Sequence, residues 1–218
     1  MTDRKALIAG STGLVGKHLL QQLAKSGLYT EIISIVRRPT GIKLPNVKEE
    51  IINFENLENY EIFFNVNDIY ICLGTTIKKA KTQTAFKKVD VEYPVKIATI
   101  AAKNNVQKLS VISAMGADSK SRIFYNRMKG IMEQEIIKTG IEAIYIYRPS
   151  LLLGKRSEFR FGERIASIFV RPMLFLFVGN LRKFRPIQAE KVAASMLKNC
   201  NKNMPGVNIY TNDFLFED

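Results

Sequence analysis

A tyrosine and a lysine four residues apart are the side chains of this sequence best placed to move a proton. Tyr125 and Lys129 lie in Ser121–Thr139, which we predict to be a helix. Residues i and i+4 share one helix face, so the phenol and the ammonium can point into one pocket. Ser113 ends a predicted strand, and open parallel sheets bind ligands at strand carboxyl ends. The three side chains could serve general acid–base catalysis, although such pairs also occur by chance on surface helices.

Three glycines at intervals of three residues follow the first predicted strand, in the sequence GSTGLVG. Gly10 permits a tight exit from the strand, and Gly13 lets the backbone approach a pyrophosphate. Gly16 allows the next helix to pack close to the sheet. The amino terminus of that helix favours an anion. Between a strand and a helix, this turn predicts a dinucleotide-binding site.

Two arginines, Arg37 and Arg38, follow the second predicted strand, about 20 residues beyond the glycine turn. An acidic residue there would bind the ribose 2′-hydroxyl of NAD, whereas arginine complements the 2′-phosphate of NADP. We therefore predict that NADP(H) is preferred, with NAD(H) left open. The alternative is that the arginines are merely solvated at the start of a loop.

Strand-like and helix-like segments alternate along the chain. This alternation predicts parallel βαβ units. We expect an α/β protein with a single Rossmann domain over residues 1–218, a doubly wound, mostly parallel sheet with helices on both faces, and a small C-terminal cap at residues 151–186. The predicted strands are Lys5–Ala9, Glu31–Val36, Lys48–Asn53, Asp68–Leu73, Lys108–Ser113, Ala143–Tyr147 and Gly206–Tyr210. The predicted helices are Gly16–Ser26, Thr84–Asn104, Ser121–Thr139 and Glu190–Asn199.

The predicted cap contains an apolar stretch, Phe159–Val178, flanked by arginines. We favour the interpretation that this stretch packs against the rest of the protein and forms an apolar substrate pocket. The alternative is peripheral contact with an anionic membrane. Arg171 and Pro172 interrupt the stretch, so no uninterrupted run approaches the roughly 20 residues that cross a bilayer. We predict no transmembrane segment.

Composition excludes several classes of site. A single histidine, His18, rules out a histidine-rich metal centre, and we predict no metal. Cys72 and Cys200 are far apart and are expected to be free thiols. The net charge of +13 comes from scattered lysines and arginines without a nucleic-acid-binding motif, so we expect no nucleic-acid partner. The amino terminus does not have the pattern of a signal peptide, and we expect a cytoplasmic monomer or homodimer.

A series of short motifs, taken in order, resembles the short-chain dehydrogenase/reductase superfamily. The resemblance is closest to its small atypical members of the Tat-interacting-protein oxidoreductase type, and it runs over nearly the whole chain. The motifs are the glycine turn, Arg37-Arg38-Pro39, Asn53-Phe54, Cys72–Thr76, Val89-Asp90, Ser113 with Gly116-Ala117, Tyr125 with Lys129, Arg148-Pro149 with Leu153-Gly154, and Phe184–Ile187.

The resemblance implies an oxidoreductase and assigns roles to the candidate residues. Tyr125 would be the general acid as hydride arrives from the nicotinamide, Lys129 would hold the nicotinamide ribose and favour the ionised tyrosine, and Ser113 would hydrogen-bond the substrate carbonyl. Together with the glycine turn and the arginines, it predicts these cofactor-binding residues: Gly10, Ser11, Thr12, Gly13, Leu14, Val15, Gly16, Arg37, Arg38, Asn53, Phe54, Cys72, Leu73, Gly74, Thr75, Tyr125, Lys129 and Pro149.

Three positions depart from the family pattern. Asn53 replaces an acidic residue beside the adenine, although an amide can still accept a hydrogen bond. Asp90 stands where many relatives have an asparagine that supports a proton relay, and Ala114 replaces a second serine. The leading hypothesis is NADPH-dependent reduction of the carbonyl of a small apolar molecule. The alternative is a non-catalytic, redox-sensing NADP(H)-binding regulator that contacts a protein partner. A nucleotide-sugar epimerase or dehydratase is a further rival, for which the chain is short.

Overall fold

Seven parallel strands form the central sheet of the protein, for which the computed structural model describes residues 3–154 and 185–213. The described residues form nine strands, of which all but β7 and β8 belong to this sheet: β1 Lys5–Ala9, β2 Glu31–Val36, β3 Val47–Ile51, β4 Asp68–Ile71, β5 Lys108–Ile112, β6 Ala143–Arg148, β7 Leu152–Leu153, β8 Ile187–Gln188 and β9 Gly206–Thr211. The large sheet has the order β3-β2-β1-β4-β5-β6-β9, with all of its pairs parallel. The strand order reverses between β1 and β4, where doubly wound sheets bind their ligands.

Burial on both faces explains the composition of the inner strands. Nearly every residue of β1, β2, β4 and β6 is buried, as their apolar runs predict for parallel strands covered on both sides. One core joins the sheet to the helices after β4 and β5, and a second joins its other face to the first and last helices. The prediction of a doubly wound Rossmann-type sheet is confirmed.

Six α-helices surround the sheet in the described residues. They are α1 Leu14–Lys25, α2 Ile77–Ala80, α3 Gln83–Lys87, α4 Tyr93–Lys103, α5 Phe124–Ile137 and α6 Ala189–Cys200. α1 packs beside α6 on one face, and α4 packs beside α5 on the other. A 3₁₀ segment, Phe54–Phe64, follows β3 and was not predicted.

The helix predicted at Thr84–Asn104 is present but not uniform. A π-turn, Lys88–Glu92, interrupts it between α3 and α4. Such turns insert one extra residue into a helix and are frequent at functional sites. The π-turn carries Asp90 and Val91 as its buried residues. A periodic apolar pattern cannot reveal this change, because it marks the buried face but not the hydrogen-bond register.

The ends of the predicted cap meet beside the sheet. β7 and β8 pair in parallel, with Leu152 opposite Ile187, and the Ser150 hydroxyl donates to the Arg185 carbonyl over 2.6 Å. The predicted apolar stretch, Phe159–Val178, lies entirely outside the described residues. None of the helices that the structure describes is long and apolar enough to cross a membrane.

Candidate active site

The turn after β1 is built around positions that exclude a side chain. Gly10 has φ of 89°, and a Cβ atom on it would lie 2.6 Å from the carbonyl carbon of Cys72. A Cβ on Gly16 would lie 2.1 Å from the Gly10 carbonyl oxygen. The chain can therefore leave β1, pass against the end of β4 and enter α1 only with glycine at these two positions.

The amino terminus of α1 is open to an anion. Gly13 begins the helix without a side-chain cap, and its first turn holds no acidic residue. First-turn amides of a helix have no acceptor within the helix, and the helix dipole adds positive potential there. The buried Ser11 hydroxyl accepts from Ser34 over 2.8 Å, which ties the turn to β2. These residues fit the pyrophosphate of a dinucleotide.

The two arginines after β2 lie on the surface, as expected of residues that would bind a cofactor phosphate. Arg37 lies near Tyr93 of α4. Burial and a hydrogen bond to Glu55 raise the pKa of Tyr93 to about 12, and the Arg37 charge opposes that rise. Arg38 is also exposed. A separate cavity of about 390 Å³ between α1 and the chain after β2 is lined by Thr12 and Lys17, among others.

The residues predicted beside the adenine have structural contacts of their own. The Asn53 side-chain oxygen accepts from the Glu55 amide over 3.0 Å and so caps the 3₁₀ segment. Phe54 is buried, and its ring centroid lies 5.5 Å from that of Tyr93. The carboxamide nitrogen of Asn53 is a donor, so the residue can still face a base.

Lys129 is buried and forms an ion pair with Asp90. The Lys129 Nζ lies 2.9 Å from Asp90 Oδ1, and Asp90 Oδ2 accepts from the Thr75 amide over 2.7 Å. Burial acts to lower the pKa of Lys129, but the Asp90 and Tyr125 charges outweigh it and the pKa is raised. The π-turn thus connects α5 to the loop after β4, which is predicted to hold the cofactor.

Close packing fixes the helix that carries this lysine. A Cβ on Gly130 would lie 2.2 Å from the backbone at Asp118 and Ser119. Only glycine allows α5 to approach that loop so closely. Sequence reasoning did not identify Gly130, although a glycine inside a predicted helix is a recognised sign of close packing.

Tyr125 stands at a cavity of about 470 Å³. Its side chain is 37% exposed, and its ring lies edge-on to Phe86 with centroids 5.9 Å apart. Thr75, Ser113 and Pro149 line the same cavity, together with apolar residues such as Leu152. The structure therefore brings three predicted site residues to Tyr125, with Lys129 buried on the next turn of the same helix.

Ser113 is engaged with a carboxylate that sequence reasoning missed. Its hydroxyl forms a hydrogen bond with the buried Glu133, which also accepts from Arg148 Nε over 3.0 Å. Glu133 lies four residues after Lys129 on α5, so helical spacing was the available signal. Arg148 ends β6 and lies in one of the motifs that carry the family resemblance.

The predicted cofactor residues divide between two places. The glycine turn and Cys72, Leu73, Gly74 and Thr75 lie beside the switch point, next to the cavity that holds Tyr125. Arg37, Arg38 and Asn53 follow β2 and β3, on the other side of β1. A dinucleotide that contacts both groups of residues would have to extend across β1.

Comparison with known proteins shows the family to which the chain belongs. A family model described as NAD(P)H-binding matches residues 10–163, and the chain belongs to that family. Within it, the chain is 32% identical to the HTATIP2 protein of Rattus norvegicus over 173 residues, covering 78% of this chain and 71% of that protein. It is likewise 32% identical to the FMP52 protein of Debaryomyces hansenii, covering 86% and 84%. The chain is thus an atypical short-chain dehydrogenase/reductase-like protein, and the predicted resemblance is confirmed.

A solved structure agrees on the fold. MoeE5 in complex with UDP-glucuronic acid and NAD superposes with a TM-score of 0.72 at 15% identity, covering 94% of this chain and 75% of that one. At this identity, the likeness concerns the fold only.

The predicted cytoplasmic location is wrong by the same comparison. Several fungal FMP52 relatives are named mitochondrial, and this finding contradicts the expectation of a cytoplasmic location. The prediction rested on finding no signal peptide at the amino terminus, and that observation does not distinguish these two locations.

Proposed function

We propose that this protein is an NADP(H)-dependent oxidoreductase that reduces the carbonyl of a small apolar molecule, with Tyr125 as general acid. The observation that carries the proposal is a half-exposed phenol on the wall of a cavity, with a buried lysine one helical turn away. The glycine turn and the open end of α1 support cofactor binding in front of this cavity. Residues 151–186 would complete the substrate side as a cap.

Each group has a part in the proposed chemistry. When bound, NADPH supplies the hydride. Tyr125 donates its proton to the substrate oxygen, while Lys129 holds the ribose hydroxyls of the cofactor. Asp90 keeps the lysine ammonium in place and, through Thr75, fixes the loop beside it. The apolar side chains of Phe86 and Leu152 exclude water from the reacting carbonyl.

The test is NADPH oxidation measured over a panel of ketones and aldehydes. We expect turnover with the wild type and a loss of about 100-fold or more in kcat for Tyr125→Phe, since general acids contribute about 10²–10⁴-fold. NADPH affinity and thermal stability should not change, which is the control for folding. Turnover that survives Tyr125→Phe overturns the assignment. Tight NADPH binding without turnover on any carbonyl favours the non-catalytic regulator.

The NADP preference is tested separately. Because Arg37 and Arg38 would face the 2′-phosphate, replacing both with alanine should weaken NADPH binding about 10- to 100-fold and leave NADH binding nearly unchanged. Titration calorimetry with both cofactors measures this. Equal losses for the two cofactors would show that the arginines do not recognise the 2′-phosphate.

A further inference from the structure

Ser113, Glu133 and Arg148 form a network beside the cavity, centred on the buried Glu133, that the proposed mechanism does not use. Glu133 is 3% exposed and accepts hydrogen bonds from Ser113 Oγ and from Arg148. The Ser113 amide donates to the Tyr147 carbonyl over 2.7 Å, which holds the serine backbone against β6. Ser113 is itself 3% exposed and lines the cavity.

The direction of each hydrogen bond follows from the chemistry of the groups. A guanidinium can only donate, and Arg148 reaches both oxygens of Glu133. A carboxylate held in this way is ionised and can only accept. Lys129 adds a second positive charge near Glu133. Ser113 must therefore donate its single hydroxyl proton to Glu133.

This direction determines what Ser113 can offer to a ligand. With its proton held by Glu133, the Ser113 hydroxyl has only lone pairs left to offer to a ligand. A carbonyl oxygen also presents only lone pairs, so the two do not form a hydrogen bond. A hydroxyl or N–H group on the ligand does complement Ser113.

We propose that the substrate is a carbonyl compound with a hydroxyl group next to the carbonyl. Tyr125 donates to the carbonyl oxygen, and Ser113 accepts from the neighbouring hydroxyl. Glu133 is the positioning residue that makes Ser113 an acceptor. This inference rests on the proposed reductase function and revises the donor role that the family resemblance implies for Ser113. The apolar walls formed by Ile77, Phe86 and Leu152 accept the remainder of the molecule.

The first experiment compares two ketones that differ by one hydrogen-bond donor. α-Hydroxyacetophenone and α-methoxyacetophenone have similar bodies and similar inductive effects, but only the first can donate to Ser113. We expect the wild type to favour the hydroxy ketone about tenfold in kcat/KM, mostly through KM, as one hydrogen bond predicts. Equal efficiencies for the two ketones overturn the inference.

Glu133→Gln reverses the direction of the hydrogen bond. The introduced amide can accept from Arg148 Nη2 and donate to Ser113, at the cost of the hydrogen bond that Arg148 Nε gives to the same oxygen as Ser113, and the serine proton is then free to face the cavity. The preference for the hydroxy ketone should then disappear or invert. Ser113→Ala should lose the preference without inversion. An unchanged preference in both variants contradicts the inference, whereas a purely structural Glu133 would lower the rates with both ketones equally.

A second experiment does not depend on turnover. In Ser113→Cys, a thiol takes the place of the hydroxyl, and Glu133 should keep it protonated. Adding Glu133→Gln should speed its alkylation by iodoacetamide at pH 8 about tenfold, as measured by peptide mass spectrometry. Burial raises the pKa of Cys72 and of Cys200 to about 12, so these thiols serve as slow internal standards. Equal alkylation rates with and without Glu133→Gln overturn the inference. A difference in rate without reduction of any ketone leaves the hydrogen-bond direction standing and rejects only the reductase function.

Discussion

Buried carboxylates paired with cations lie at both edges of the sheet. At the amino-terminal edge, Asp68 Oδ2 lies 2.6 Å from Arg4 Nε, and the Cys200 thiol donates to Asp68 Oδ1 over 3.4 Å. At the carboxyl edge, Asp90 lies 2.9 Å from Lys129. Both aspartates are 1% exposed. The chemistry is similar, but the surroundings are not.

The amino-terminal cluster connects parts of the fold. It joins the start of β1 and β4 to the end of α6, and the Tyr29 and Tyr70 hydroxyls are 2.8 Å apart within it. In the described structure, none of its side chains lines either of the two cavities reported above. The carboxyl-edge pair instead connects the helix of Tyr125 to the loop beside the glycine turn. A buried ion pair therefore does not mark a functional site by itself, and its place at the ligand-binding edge of the sheet is what matters.

The largest expected effect on stability and activity is at the carboxyl-edge pair, Asp90 and Lys129. Lys129→Met leaves Asp90 buried without its cation, so we expect a loss of about 3–5 kcal/mol in the free energy of unfolding and no measurable turnover. Urea denaturation and NADPH oxidation measure the two effects. Adding Asp90→Leu should restore much of the stability and none of the activity. Restored activity would show that the lysine serves only the fold.

The amino-terminal pair should behave differently. Arg4→Met should cost less, about 1–2 kcal/mol, because the Arg4 side chain is 22% exposed, so that water can reach the place its guanidinium leaves, and because the Cys200 thiol still donates to Asp68. We expect kcat and KM to stay unchanged at temperatures where the variant is folded. A selective loss of kcat would show that this cluster also acts on the reaction, and the contrast between the two edges would fail.

The smallest expected effect is a difference in alkylation rate between the two cysteines, Cys72 at the carboxyl edge and Cys200 at the amino-terminal edge. Burial raises the pKa of both thiols to about 12, so alkylation should speed up about tenfold per pH unit below that value. At pH 9, saturating NADPH should slow alkylation of Cys72 several-fold by covering it, and should leave Cys200 unchanged. Mass spectrometry of the two peptides measures the rates. Equal protection of both cysteines would show only that the cofactor stabilises the whole fold.

The sequence allowed prediction of the sheet and of the residues that lie on local motifs. All seven strands of the large sheet lie within two residues of their predicted bounds. The inner strands β1, β2, β4 and β6 are nearly continuous apolar runs because both of their faces are buried, which makes them easy to locate. The glycine turn was predicted because steric exclusion acts over a few neighbouring residues. The convergence of Ser113, Tyr125 and Pro149 on one cavity followed from their places at the carboxyl edge.

The networks that tune these residues could not be predicted. Asp90 was identified only as a departure from the family, and the π-turn that brings it to Lys129 leaves no trace in the apolar pattern. Glu133 and Arg148 meet across the packing of α5 on β6, a contact between residues fifteen positions apart. Such contacts depend on tertiary geometry and not on local propensity.

The most direct test compares two tyrosines, one from each edge, by activity and stability together. Tyr125→Phe should lower kcat/KM for NADPH-dependent ketone reduction about 100-fold or more and change the free energy of unfolding by less than about 0.5 kcal/mol. Tyr29→Phe should do the opposite: it should leave kcat/KM unchanged and lose about 1 kcal/mol with its hydrogen bond to Tyr70. If Tyr125→Phe keeps its activity, the carboxyl edge is not the catalytic site. If Tyr29→Phe loses activity while still folded, the contrast between the two edges fails.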